Sequence, residues 1–323
     1  MTIVKLKIHP SSPRIGKGTP LSESFRDYTL GLIGRLRLSG RCRTAESYLT
    51  SFNSFMRFRD DVDVSLDKID ADLMTAYEGY LRREGICPNT SSYYMRNLRA
   101  IYNRAVEDGL TVQCYPFRRV YTGIDRTVKR AVPLQVIGRI RNLDLSLDPR
   151  LDYARDLFMF SFYTRGMSFV DMAYLKKKDL RGGFLSYYRH KTRQFLSVRW
   201  ERPMQDIVDK YDTADTPYLL PIIRDVSRDD RNQYLSASHQ VNIRLKELGA
   251  RLGLDMPLTT YVARHAWASI AWDKRVSMSV ISRALGHHSE HTTRIYLASL
   301  DTSAVDCANR DILKALDVTG CKR

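Results

Sequence analysis

Apolar residues recur at helical spacing along most of this 323-residue chain, and the period changes to that of a strand in one place, between Gly182 and Val198. A chain patterned this way folds mainly as packed helices with one small β-element. Phe25, Tyr28, Leu32 and Leu36 mark a first helix, ended by Gly40. Thr44 is expected to cap a second, with Tyr48, Phe52, Phe55 and Met56 on one face. A third runs from about Asp70 to Arg83, and the turn Cys87-Pro88-Asn89-Thr90 leads into a fourth carrying Tyr94, Leu98, Ile101, Tyr102 and Ala105. Helical patterns return over 136–143 and 150–163, the latter opened by Asp148 and Pro149, and then over 238–252, 260–274, 279–285 and 291–300. Between them the turn Gly182-Gly183 and two short aromatic and β-branched runs, 184–188 and 195–198, read as a hairpin around Arg189-His190-Lys191-Thr192-Arg193.

Length and these breaks predict two domains. Residues 1–20 read as a flexible arm, 21–117 as an all-helical domain, 118–132 as a basic linker, and 133–300 as an α+β domain. The tail, 301–323, could form one more helix, with Ala304, Val305, Ile312, Leu313 and Leu316 offering an apolar face to a neighbouring copy or to its own domain. Five scattered cysteines without C-x-x-C spacing argue against a disulfide framework and a structural zinc site. No apolar run is long enough to span a membrane and the N-terminus lacks a signal-peptide pattern, so a cytoplasmic protein without membrane partners is expected.

The charge points to a polyanionic partner. Lys and Arg number 52 against 36 Asp and Glu, a net charge of +16, divided evenly between residues 1–132 and the remainder at +8 each. Candidate DNA contacts are Arg43, Thr44 and Tyr48 on the second helix, Ser91, Tyr94, Arg96 and Arg99 on the fourth, and Arg130 in the linker.

Four segments of the second half carry chemistry: Tyr163-Thr164-Arg165-Gly166-Met167-Ser168-Phe169-Val170-Asp171; Arg189-His190-Lys191-Thr192; Tyr261-Val262-Ala263-Arg264-His265-Ala266-Trp267-Ala268-Ser269; and Leu285-Gly286-His287, with Thr293-Arg294-Ile295-Tyr296 ending nine residues beyond His287. In this order they resemble the signature of the tyrosine recombinases, the phage-integrase family. Arg264 to Ser269 matches its R-H-x-x-A-[ST] box, and Leu285-Gly286-His287 with Thr293 to Tyr296 matches its L-G-H…T-x-x-Y box. The resemblance covers about residues 25–315. It implies a SAM-like helical core-binding domain followed by the family's α+β catalytic domain, acting on double-stranded DNA at specific recombination sites as a homotetramer, with no metal or cofactor.

The residue types suit that chemistry. Attack on a phosphodiester places negative charge on its nonbridging oxygens, which guanidinium groups such as Arg165 and Arg264 are shaped to stabilise. Tyr296 would be the nucleophile, forming a 3′-phosphotyrosyl link that conserves the bond for rejoining. Lys191 would protonate the departing 5′-oxygen, and His265 and His287 would position or hydrogen-bond the phosphate and phenol. Two positions depart from the family pattern. With Asp171 aligned to the acidic residue of T-G-x-R-x-x-[ED], Ser168 stands where the first arginine is usual. Arg165, one helical turn earlier, is either its substitute or a plain DNA contact beside a site weakened by Ser168. Tyr261 replaces the histidine of H-x-x-R and can donate a hydrogen bond but cannot act as a base. The pair of departures resembles integrases and DNA invertases of Bacteroidetes mobile elements. Asp171 is expected to orient Arg264 or the local backbone.

Two rival readings remain at this point. A DNA-binding protein of the same fold that has lost catalysis would also carry Ser168 and Tyr261. More remotely, His287-x-x-Glu290-His291 fits an inverted zinc-protease motif, which needs both histidines and the glutamate on one helix.

Overall fold

The computed structural model describes residues 23–125 and 131–298, so the arm at 1–20, Arg130 and the tail at 301–323 lie outside the described residues. The chain divides between residues 126 and 127 into two units, each with its own core.

The first unit holds α1 (Phe25–Leu38), α2 (Cys42–Phe58), α3 (Ala71–Arg83) and α4 (Pro88–Glu107). Side chains fix the starts of α1 and α3. Ser24 Oγ accepts from the Asp27 N–H at 2.9 Å and Asp70 Oδ1 from the Leu73 N–H at 2.8 Å, each such cap contributing about 1 kcal/mol. Pro88 opens α4, where its missing N–H would have had no helical partner. The apolar stripes meet in an aromatic core in which Phe55 packs edge-on against Phe25 and Tyr77, ring centroids 5.7 and 5.3 Å apart.

Several expectations fail here. Thr44 lies inside the first turn of α2, whose N-cap is Arg41 without a side-chain bond. Tyr48 and Ser91, expected to touch DNA, are buried in the helix–helix packing, because both lie on the stripe their helices turn to the core. Tyr94 is half-buried against the same core, whereas Arg43 and Arg99 are exposed and Arg96 is half-exposed. Residues 118–125, expected to begin a linker, are fastened to this unit. Phe117 and Val120 enter its core, the Tyr121 N–H donates to Glu78 Oε1 at 2.7 Å, and the Asp125 N–H donates to Asn89 Oδ1 at 2.8 Å.

The second unit comprises α5 (Leu134–Arg141), α6 (Pro149–Tyr163), α7 (Phe169–Ala173), the strands β1 (Leu180–Arg181), β2 (Phe184–Tyr188) and β3 (Phe195–Arg199), then α8 (Arg202–Asp209), α9 (Asp230–Arg251), α10 (Thr260–Asp273), α11 (Met278–Leu285) and α12 (Glu290–Ala298). The second half of α6 is buried on every side over residues 156–161, which suits a central helix, and α8, α9 and α10 pack around it. The strands form one antiparallel sheet in the order β1-β2-β3, with Leu185 opposite Val198 on its buried face and Tyr188 opposite Phe195 on its open face. A smaller cluster of Ala268, Ala271, Ile281, Leu285 and Leu297 ties α10, α11 and α12 together. The expected hairpin gains β1 as a third strand, and α8 has no counterpart in the sequence reading. α9 begins eight residues before the expected start because Asp229 caps it, accepting from the Asn232 N–H at 2.7 Å. Among the described residues no helix is long and apolar enough to cross a membrane.

Candidate active site

The site grows from three turns in the second unit. α6 ends in a left-handed pair, Arg165 at φ 64° and Gly166 at φ 75°. A Cβ on Gly166 would lie 2.7 Å from the Arg264 Cα, so the turn and α10 approach this closely only with glycine there. α11 ends at Gly286, also left-handed at φ 62°, where a Cβ would meet the Arg189 Cδ and the Leu196 Cδ1 at 3.1 Å. The third turn is the tip of the β2–β3 hairpin, on which Lys191 stands exposed.

α10 supplies Arg264 and His265, both buried, and Tyr261, which is half-exposed one turn earlier. Arg264 donates through Nη1 to the Gly166 carbonyl at 2.8 Å and through Nη2 to the Leu285 carbonyl at 2.5 Å, with His287 Nε2 a further 3.5 Å contact. Its Nε–H is buried without an acceptor. Tyr296 of α12 stacks on His265, centroids 5.0 Å apart, and meets His287 edge-on at 5.7 Å, while Tyr261 meets His265 edge-on at 4.7 Å. His287 Nδ1 shares a 2.8 Å hydrogen bond with the fully buried hydroxyl of Thr293, so the threonine of T-x-x-Y orients the imidazole.

Electrostatics follow from this packing. Burial pushes the Tyr296 phenol well above the ordinary tyrosine range, and the Arg264 and Arg189 guanidiniums pull against it. Burial, then the charges of Arg264, Arg189 and Lys191, lowers His287 to about 4. Its imidazole is therefore neutral at neutral pH.

The structure thus brings together Arg264, His265, Tyr261, His287 and Tyr296, with the charge of Lys191 bearing on His287. Asp171 is not a partner of Arg264. Its Oδ1 accepts from the His190 backbone N–H at 2.8 Å, its Oδ2 from the Ser168 hydroxyl at 2.6 Å, and the Arg189 Nε lies 4.0 Å away. Asp171 fastens the root of the hairpin, and Ser168 braces Asp171. Arg165 sends its Nη1 to the Ser197 carbonyl on β3 at 3.3 Å, an exposed bond. Sequence reasoning missed Arg189, whose Nη1 donates to the Gly286 carbonyl at 2.6 Å. Its signal was available: Leu185 and Tyr187 alternate along β2, and Arg189, one residue past the strand end, continues that period and is buried. The zinc-protease reading fails on geometry, since His287 lies in the turn before α12 and so does not share a helix with His291. No group of three or more metal-ligating side chains gathers among the described residues.

Residues 24–120 match the phage integrase SAM-like domain, and residues 204–303 match the phage integrase family. Tyrosine recombinase XerD of Listeria monocytogenes is 21% identical over 293 residues, 85% of this chain and 94% of that protein. Tyrosine recombinase XerA of Pyrococcus furiosus is 28% identical over 151 residues, 45% of this chain, and that stretch spans about half, 50%, of the relative. Among solved structures, the lambda integrase tetramer bound to a Holliday junction superposes with a TM-score of 0.65 at 15% identity, over 85% of this chain and 78% of that one. The chain belongs to the phage integrase family of tyrosine-type site-specific DNA recombinases.

Proposed function

We propose that this chain cleaves and rejoins duplex DNA at specific recombination sites through a phosphotyrosyl link on Tyr296. The observation that carries the assignment is the placement of the Tyr296 ring between His265 and His287, with Arg264 beside His287. The Tyr296 oxygen attacks the scissile phosphorus and the bond from phosphorus to the 5′-oxygen breaks. The phenol's proton passes to the neutral His287 imidazole, directly or through water, and Lys191 gives its proton to the departing 5′-oxygen. Arg264 stabilises the charge on the nonbridging oxygens. Rejoining reverses each transfer. The Tyr296 hydroxyl is shielded from solvent, so DNA binding has to shift α12 or the hairpin before the phenol meets phosphorus.

The exposed Arg43 on α2 and Arg99 on α4, with Arg96 one turn before Arg99, are the contacts we assign to the first unit. A tetramer on two sites is the assembly we propose, supported by the fold shared with the lambda integrase tetramer and by the even spread of positive charge along the chain.

The test uses nicked duplex DNA drawn from the flanks of the gene, incubated with protein in EDTA and run on a denaturing gel. The expected result is a covalent protein–DNA band that disappears in Tyr296→Phe while DNA binding is retained. A band that survives in Tyr296→Phe removes the nucleophile assignment, and occupied DNA with no band from the unaltered protein leaves a DNA-binding protein without strand cleavage.

A further inference from the structure

We infer that Arg189, not Arg165, is the second guanidinium that holds the scissile phosphate, an inference that rests on the strand-cleavage reading above. Arg189 and Arg264 donate to consecutive carbonyls, Gly286 and Leu285, so the two groups converge on two adjacent peptide units at the end of α11. Arg189 is 6% exposed and Arg264 3% exposed. Each keeps a buried Nε–H with no hydrogen-bond acceptor, so each retains a donor for a ligand.

Two buried like charges side by side are unfavourable unless an anion joins them. Asp171 is the carboxylate at hand, 4.0 Å from the Arg189 Nε, and it is already committed to the Ser168 hydroxyl and the His190 N–H. One carboxylate against two guanidiniums leaves a net positive charge, and a phosphodiester supplies one negative charge on two nonbridging oxygens, one for each guanidinium. The site is also the place where Tyr296 reacts, since the Arg264 and Arg189 charges both act on its phenol. Arg165, by contrast, is engaged with the Ser197 carbonyl on an exposed edge. The guanidinium that Ser168 lacks is thus supplied from the neighbouring hairpin, and Asp171 and Ser168 become its bracket.

The experiment compares adduct formation on nicked DNA carrying either an ordinary scissile phosphate or a methylphosphonate, in which a neutral methyl replaces one nonbridging oxygen. A side chain whose task is to neutralise that oxygen becomes dispensable when the charge is gone, whereas one that merely supports the fold does not. Arg189→Ala is expected to slow adduct formation by about 10²–10³-fold on phosphate and to recover to within about tenfold of the unaltered protein on methylphosphonate. Arg189→Lys, which keeps the charge and most of the stem, is measured beside it in case the alanine variant is poorly folded. It is expected to show a smaller loss and the same recovery. Arg165→Ala is expected to stay close to the unaltered protein on both DNAs. Arg189 variants equally slow on both DNAs, or the recovery pattern appearing in Arg165→Ala, overturns the proposal. An unaltered protein that forms no adduct on either DNA overturns the strand-cleavage reading and the proposal with it.

Discussion

His287 is held neutral by burial and by three neighbouring cations, at about 4 against an ordinary value of 6.5. The unfolded chain therefore takes up a proton below about 6.5 that the folded chain refuses, so stability is full above that pH and falls as pH drops toward about 4. Urea midpoints measured from pH 7 to pH 4.5 should decline less steeply for His287→Gln than for the unaltered protein. Parallel curves would show that His287 titrates freely. The same crowding of cations shows why the site was only partly legible in the sequence. Arg264, His265, His287 and Tyr296 stand in boxes whose spacing along a helix or across one turn survives folding. Arg189 reaches them only because Gly286 lets the end of α11 close on the hairpin, at 3.1 Å from the Arg189 Cδ to where a Cβ would stand. Ser168, at the start of α7, points along the chain only to Arg165 in the turn after α6, while the compensating charge lies across a long-range contact.

At the scale of elements, the site depends on how closely the end of α6 and α10 approach each other. Gly166→Ala would add a Cβ 2.7 Å from the Arg264 Cα in a backbone conformation at φ 75° that side chains disfavour. Strain and overpacking together should cost about 2–5 kcal/mol. A urea unfolding midpoint unchanged by Gly166→Ala would contradict the close approach, and a folded variant should also lose adduct formation because the Arg264 Nη1 bond to the Gly166 carbonyl is displaced. Helices with a full apolar stripe, such as α1, α3 and α6, could be read within a residue or two of their ends. α8 could not, because it buries only Met204 and Ile207, and the two residues of β1 are too short to show a period. Tyr48 and Ser91, expected at the DNA, are buried for different reasons: Tyr48 shares the apolar stripe of Phe52, Phe55 and Met56, so its own spacing already turned it inward, whereas a side chain as small as Ser91 does not announce its face and packing against the adjacent helix decides it.

For the whole molecule, the positive charge and the two cores divide the work. Arg189, Lys191, Arg264, His265, His287 and Tyr296 all come from the unit that follows residue 126, and each unit has a buried cluster of its own. A 127–323 fragment should therefore fold by itself, showing a cooperative thermal transition by circular dichroism. It should retain Tyr296-dependent adduct formation on nicked DNA at raised protein concentration. What it should lose is affinity. Two tethered basic surfaces on one duplex gain from the high local concentration of the second once the first is bound, so removing residues 1–126 is expected to weaken binding by about 10²–10⁴-fold and to flatten its dependence on salt, as fewer phosphate contacts release fewer counterions. A fragment that binds as tightly as the full chain would mean that the positive charge of the first unit, including Arg43 and Arg99, faces something other than DNA.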